Sequence, residues 1–142
     1  MANQTLTGEA IERGDLPPAL DATTAPADAV LALMHEYFRV WNARDASALH
    51  TDIYRLGPHG RLHSEADFRK VLDQVIADGW DYSTLDEVSI HPWGDDAFLA
   101  NGRYSRFTAK GEPLEQVRTP TAYVIKRFPD GLRIVDLPLV YR

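Results

Sequence analysis

The chain has 142 residues, of which 44% are hydrophobic and 25% charged, with a formal net charge of -6. This is the balance of one ordinary globular domain, large enough for a core. The acidity argues against a nucleic-acid surface, which needs clustered Lys and Arg. No stretch approaches the ~20 apolar residues of a membrane span, and the N-terminus lacks the basic-then-apolar pattern of a signal peptide. There is no cysteine, which excludes disulfides and thiolate chemistry and fits a reducing cytoplasm.

Residues 1–25 are rich in Thr, Ala, Asp, Gly and Pro and show little periodicity, so they read as an N-terminal arm. Residues 26–142 read as a single domain. Pro26 suits the first turn of a helix that runs to about Ala43. In it Val30, Met34, Tyr37 and Trp41 fall on one side, widened by Leu33, Phe38 and Val40. A stripe meant only to fill space would favour Leu, Ile and Val; this one carries a phenol and an indole. Asp45 is placed to cap a short second helix over residues 46–53. Ser64 and Asp67 form a capping-box pattern that opens a third helix, with Phe68, Val71, Leu72, Val75 and Ile76 on its buried face. Gly79 supplies a left-handed stop.

Beyond Gly79 the hydrophobic period shifts toward two. Residues 80–90, 97–108, 115–128 and 132–141 read as four strands, separated by turns at Pro92–Asp96, Lys110–Pro113 and Pro129–Gly131. Loops this short predict an antiparallel meander.

The segments ALMHEYFRVWNARD, SEADFRKVL, GWDYS and KRFPDGLRIV, in this order, resemble the NTF2-like superfamily, and within it the SnoaL-like and ketosteroid isomerase-like proteins. The resemblance covers roughly residues 28–142. It implies an α+β cone: three N-terminal helices packed in a curved antiparallel sheet, with an apolar cavity at the wide end. Its members include isomerases, cyclases, dehydratases, lyases and non-catalytic binding modules, so fold alone does not give function. Ketosteroid isomerase uses a carboxylate base, a tyrosine donor and a protonated aspartic acid, a set that serves as a standard worked case of pKa tuning. The Met-x-x-Tyr spacing of its first helix matches Met34 and Tyr37. The base position falls on Gly57, and the acid position lies near Thr121–Val124, where no carboxyl group stands. Steroid isomerisation by that route is therefore not expected.

Tyr37 is the leading candidate donor to a substrate oxygen, the alternative being a core tyrosine. His59 and His63 flank the turn where the resemblance places a base, and either could move a proton near neutral pH. Asp136 lies in the apolar run IVDLPLVY; it is either a carboxyl group of raised pKa or a solvent-facing one. Trp41, Tyr54, Phe68 and Tyr82 are candidate pocket walls. On the second strand periodicity does not decide the inner face, because each face carries one arginine. Matched from the Lys110–Pro113 turn, the inner set is Asn101, Arg103 and Ser105, and an inward Arg103 would bind an anion. On the third strand the expected inner set is Val117, Thr119, Thr121, Tyr123 and Ile125. Ala122 and Val124 then face outward, where they could help form a homodimer through the outer sheet face. His35 is expected to be partly exposed and His91 solvent-facing. The expected function is cofactor-independent acid–base chemistry on a small aromatic or polycyclic molecule, with no metal. The alternative is a non-catalytic ligand-binding or dimerisation module.

Overall fold

The computed structural model describes residue 19, residues 25–57 and residues 62–138. All of the N-terminal arm but residues 19 and 25, together with His59 and the end of the chain, thus lies outside the described residues. Helix α1 spans Ala25–Asn42, with Pro26 in its first turn. Helix α2 spans Ala46–Ala48 and continues as a π-helical turn over Leu49–Ile53. Asp45 caps it, its carboxylate accepting from the Ala48 N–H at 3.0 Å. Helix α3 spans Glu65–Ala77 with the Ser64/Asp67 capping box formed in both directions. Gly79 follows with φ +100°, a conformation that glycine adopts without strain.

Four strands follow: β1 Tyr82–Pro92, β2 Ala97–Phe107, β3 Thr119–Phe128 and β4 Gly131–Asp136. They form one antiparallel sheet in sequential order. The three helices lie against one face, and Val30, Met34, Leu49, Phe68, Leu72, Ile125 and Ile134 make the fully buried centre. The fold is α+β, as the resemblance implies.

The predicted third strand begins four residues late, for a local reason. Leu114 and Gln116 hydrogen-bond to the Arg106 backbone at 2.9 and 2.8 Å. Arg118 then adopts φ +47°, and regular pairing resumes at Thr119 opposite Tyr104. The extra residue breaks the alternation, so Val117 is exposed rather than inward. Thr121, Tyr123 and Ile125 are buried as expected.

The same irregularity defeats a count of faces from the preceding turn. On β2 it is Phe98 and Ala100 that join the core beneath the helices. Asn101, Arg103 and Ser105 therefore occupy the outer face, opposite to expectation. Ser105 is nonetheless buried. Its hydroxyl lies 2.5 Å from an Asp86 carboxylate oxygen and accepts from the Arg118 N–H at 2.9 Å. Asp136 is exposed, its carboxylate accepting from the Leu137 N–H at 2.8 Å. It pairs with the outward Val124, and β4 ends there, so the apolar run around it is not a continuous buried strand. His91 is buried, with Nε2 3.1 Å from the Ser89 hydroxyl, because β1 extends through it to Pro92; the solvent-facing expectation was wrong.

Candidate functional site

Three local devices assemble the site. The first ends α1. Arg44 turns the chain with φ +60° and pairs with Asp81 at 3.2 Å. Asn42 bonds both the N–H and the carbonyl of Ser83, at 2.8 and 3.0 Å. This clamp sets the aromatic end of the helix beside the start of β1. The second is the π-helical turn. Its last hydrogen bond, from the Tyr54 N–H to the Leu49 carbonyl at 3.0 Å, delivers Tyr54 to a parallel bridge with Ile134. The third is the inward face of β2 and β3, which supplies Tyr104, Arg106, Thr119, Thr121 and Tyr123.

Between these parts is a cavity of about 300 Å³, walled by Tyr37, Phe38 and Trp41 of α1, Val75 of α3, Trp80, Ser83, and the inner residues of β2 and β3. Its size is at the lower end of the small-molecule range. Tyr37 stands in the middle of an aromatic cluster. Its ring meets those of Phe38, Tyr123, Tyr54 and Trp41 at centroid distances of 5.0, 5.1, 5.7 and 6.3 Å, all at steep angles. Edge-to-face contact of this kind fixes a ring while leaving its hydroxyl free to bond.

The phenols form a chain. Burial pushes the Tyr37 pKa well above the usual phenol value, reinforced by Tyr54 and opposed by a hydrogen bond with Tyr123. Burial likewise raises Tyr123, reinforced by Tyr37, with a hydrogen bond to Thr121 opposing. Tyr37 thus stands within hydrogen-bond reach of Tyr54 and Tyr123, and Tyr123 within reach of Thr121. The Trp41 indole N–H also points to the Tyr54 oxygen, at a long 3.4 Å. Both raised phenols are neutral at physiological pH and act as donors, not bases.

Arg106 is the one charged side chain among the described residues lining this cavity. Its guanidinium lies 5.5 Å from the centroid of the Tyr104 ring and lowers the Tyr37 pKa through space as a minor influence. Periodicity had placed it on the face opposite Arg103 without deciding which face was interior; the apolar Phe98 and Ala100 were the available signal.

Of the sequence-derived candidates, Tyr37, Trp41, Thr121 and Tyr123 line the cavity. Tyr54 stands behind Tyr37. Phe68 is fully buried, its ring 5.1 Å from that of Tyr54, so it backs the wall rather than forming it. Tyr82 stacks on Phe107 at 5.0 Å and is not part of the lining. His63 is exposed at the start of α3, its N–H donating to Asp67 at 2.8 Å; it, Asn101, Arg103 and Asp136 are all away from the cavity. Thr119 and Phe38, both expected on inward faces, line it too, whereas Trp80, Ser83, Tyr104, Arg106 and Pro120 are lining residues that were not singled out. No group of three His, Asp or Glu among the described residues could hold a metal ion. No described helix is long and apolar enough to cross a membrane.

No protein-family model matches the sequence, and no curated protein matches it. Solved structures do. A calcium/calmodulin dependent protein kinase II association domain of Xanthomonas campestris superposes with a TM-score of 0.61 at 14% identity, covering 84% of this chain and 89% of that one. An NTF2-like protein of Novosphingobium aromaticivorans, described as having a cystatin-like fold, gives 0.56 at 19% identity, covering 78% and 77%. An NTF2-like superfamily protein of Salmonella enterica serovar Typhimurium LT2 gives 0.53 at 16%, covering 78% and 86%. The chain therefore has the NTF2-like fold, one that hosts both enzymes and binding modules.

Proposed function

We propose that this protein binds a small, ring-bearing molecule in the cavity beside Tyr37, with an oxygen of that molecule accepting hydrogen bonds from the wall. The observation that carries this reading is the chemistry of the lining. Aromatic rings provide flat apolar contact, and the polar groups are the hydroxyls of Tyr37, Tyr123, Thr119 and Thr121 and the Arg106 guanidinium. No carboxylate or imidazole stands among the described lining residues. Such a wall suits recognition of an acceptor more directly than removal of a proton.

A second reading, an isomerase- or lyase-type acid–base enzyme, is favoured by the phenol chain. A Tyr37 donor held in a low-dielectric site, backed by further hydroxyls, can stabilise charge developing on an enolate oxygen. The proton would then have to be moved by a group such as His59, since His63 and Asp136 are remote from the cavity.

A panel of cyclic and aryl ketones, screened by quenching of tryptophan fluorescence, tests both. Two of the three tryptophans, Trp41 and Trp80, line the cavity. Saturable quenching without turnover supports the binding reading. Turnover lost in Tyr37→Phe supports the enzyme. Absence of any saturable signal overturns both.

We also propose a homodimer through the outer sheet face, where the partly buried Trp93 and Val135 flank a small apolar cluster of Leu99, Ala122 and Val124 that is itself buried within the chain. Sedimentation of wild type and Ala122→Lys tests it: a wild-type monomer, or a dimer indifferent to the lysine, refutes it.

A further inference from the structure

We propose that Arg106 makes this cavity a receptor for a carboxylate, so that the ligand is a ring-bearing monocarboxylic acid. The inference rests on the binding reading above and deepens it.

Arg103 and Arg106 lie three residues apart on β2, on opposite faces, and are treated differently. Arg103 is held within the chain: Nε is 3.4 Å from Glu87, and Nη1 donates to the Arg118 carbonyl at 2.8 Å. Among the described residues, the Arg106 guanidinium has no hydrogen-bond or ion-pair partner. It is nevertheless half-buried, between the cavity and an adjoining groove. Removing a guanidinium from water without a partner is costly, and proteins seldom leave five donors idle. Asp78 and Glu115 line the groove on the far side of Arg106, yet neither forms an ion pair with it. They leave the donors that face the cavity available.

The surroundings narrow the anion. The described cavity wall holds no acid to repel it. Thr119 and Thr121 lie on the neighbouring strand opposite Tyr104 and Gly102, and with Tyr123 farther along they add hydroxyls to the same cavity. The Tyr104 ring beneath Arg106 holds the fork's plane by cation–π contact. A planar fork bearing one positive charge matches a planar carboxylate bearing one negative charge. A phosphate dianion would call for a second cation, and the described lining offers none. The remaining volume, walled by Phe38, Trp41 and Trp80, takes one ring system.

The test is calorimetric titration of 3-phenylpropanoate and its neutral isostere 3-phenylpropanamide into wild type, Arg106→Met and Arg106→Lys. Charge-assisted bidentate bonding predicts that wild type prefers the acid by roughly tenfold or more. Arg106→Met should remove that preference, lowering acid affinity much more than amide affinity, while Arg106→Lys, which keeps the charge but not the fork, should retain part of it. An unchanged melting temperature shows that each variant is folded. Equal binding of acid and amide by wild type overturns the carboxylate assignment and leaves the binding reading standing. Tighter binding of phenylphosphonate than of the acid overturns it as well. If neither ring compound binds wild type, the binding reading itself falls.

Discussion

The two faces of the sheet solve the problem of charge in opposite ways. On the outer face, Glu87, Arg103 and Arg118 form a closed set, with Arg118 Nη2 2.8 Å from Glu87 and Arg103 bridging to the Arg118 carbonyl. Thr84, Asp86 and Ser105 continue the network beside them. On the inner face the same strand carries Arg106 into an aromatic cavity, with no ion-pair partner among the described residues. A charge satisfied within the chain serves the fold. A charge left unsatisfied in a half-buried position is available to a ligand. The inner face repeats this contrast along its own length: one end is closed by Phe68, Leu72 and Ile134, and the other is left hollow beside Tyr37.

The strongest way to break the closed end is Phe68→Ala. Phe68 is fully buried and supports Tyr54, so the loss should cost about 3–5 kcal/mol, read from denaturant unfolding. A cost below about 1 kcal/mol would mean that Phe68 faces a void, and the division between closed and hollow ends would be wrong. Gly102→Ala is expected to come next. A Cβ there would lie 2.3 Å from the Glu87 carbonyl oxygen, a backbone atom held in the irregular pairing between Leu85 and Glu87. Relief requires β1 to move, at about 1–3 kcal/mol. A neutral substitution would show that the close approach is not maintained in solution.

Alkali probes the hollow end. Tyr37 and Tyr123 have raised native pKa values, so the folded state resists ionisation that the unfolded chain undergoes near pH 10. Above that pH the unfolded state binds fewer protons, and stability must fall as pH rises. The fall begins at the unfolded value and continues until the native phenols ionise. Each phenol contributes up to about 1.4 kcal/mol per pH unit. Tyr37→Phe should flatten the alkaline limb by one such share; an unchanged slope would mean that Tyr37 ionises as freely folded as unfolded.

These tests fall on residues whose legibility in the sequence differed. The helices were readable because their signals are local: Asp45 and Ser64 cap where they stand, and Tyr37 and Trp41 share a face by simple periodicity. The third strand was readable in its buried part, since Thr121, Tyr123 and Ile125 alternate with outward residues. Faces of β2 were not readable from the turn, because a left-handed Arg118 inserts one residue into the alternation, and no local pattern announces it. Arg106 was missed for that reason, although Phe98 and Ala100 on its own face carried the signal. Asp136 looked unusual inside an apolar run, but a strand can end in the middle of such a run, and this one does.

The smallest expected effect is also the most direct measure of the contrast between faces. Arg103 is half-exposed and Glu87 more so, and solvent weakens such pairs to about 0.2–1 kcal/mol. Arg103→Met should therefore destabilise slightly, and less still at high salt. Arg106→Met removes a cation with no internal partner among the described residues and replaces it with an apolar chain beside Tyr104 and Trp80. Its stability should be unchanged or slightly higher, with no salt dependence of that sign. Two arginines of one strand would then respond to the same substitution in opposite directions. If Arg106→Met instead destabilised by more than Arg103→Met, with the loss shrinking in salt, Arg106 would have a counter-charge within the chain, and its availability to a ligand would go with it.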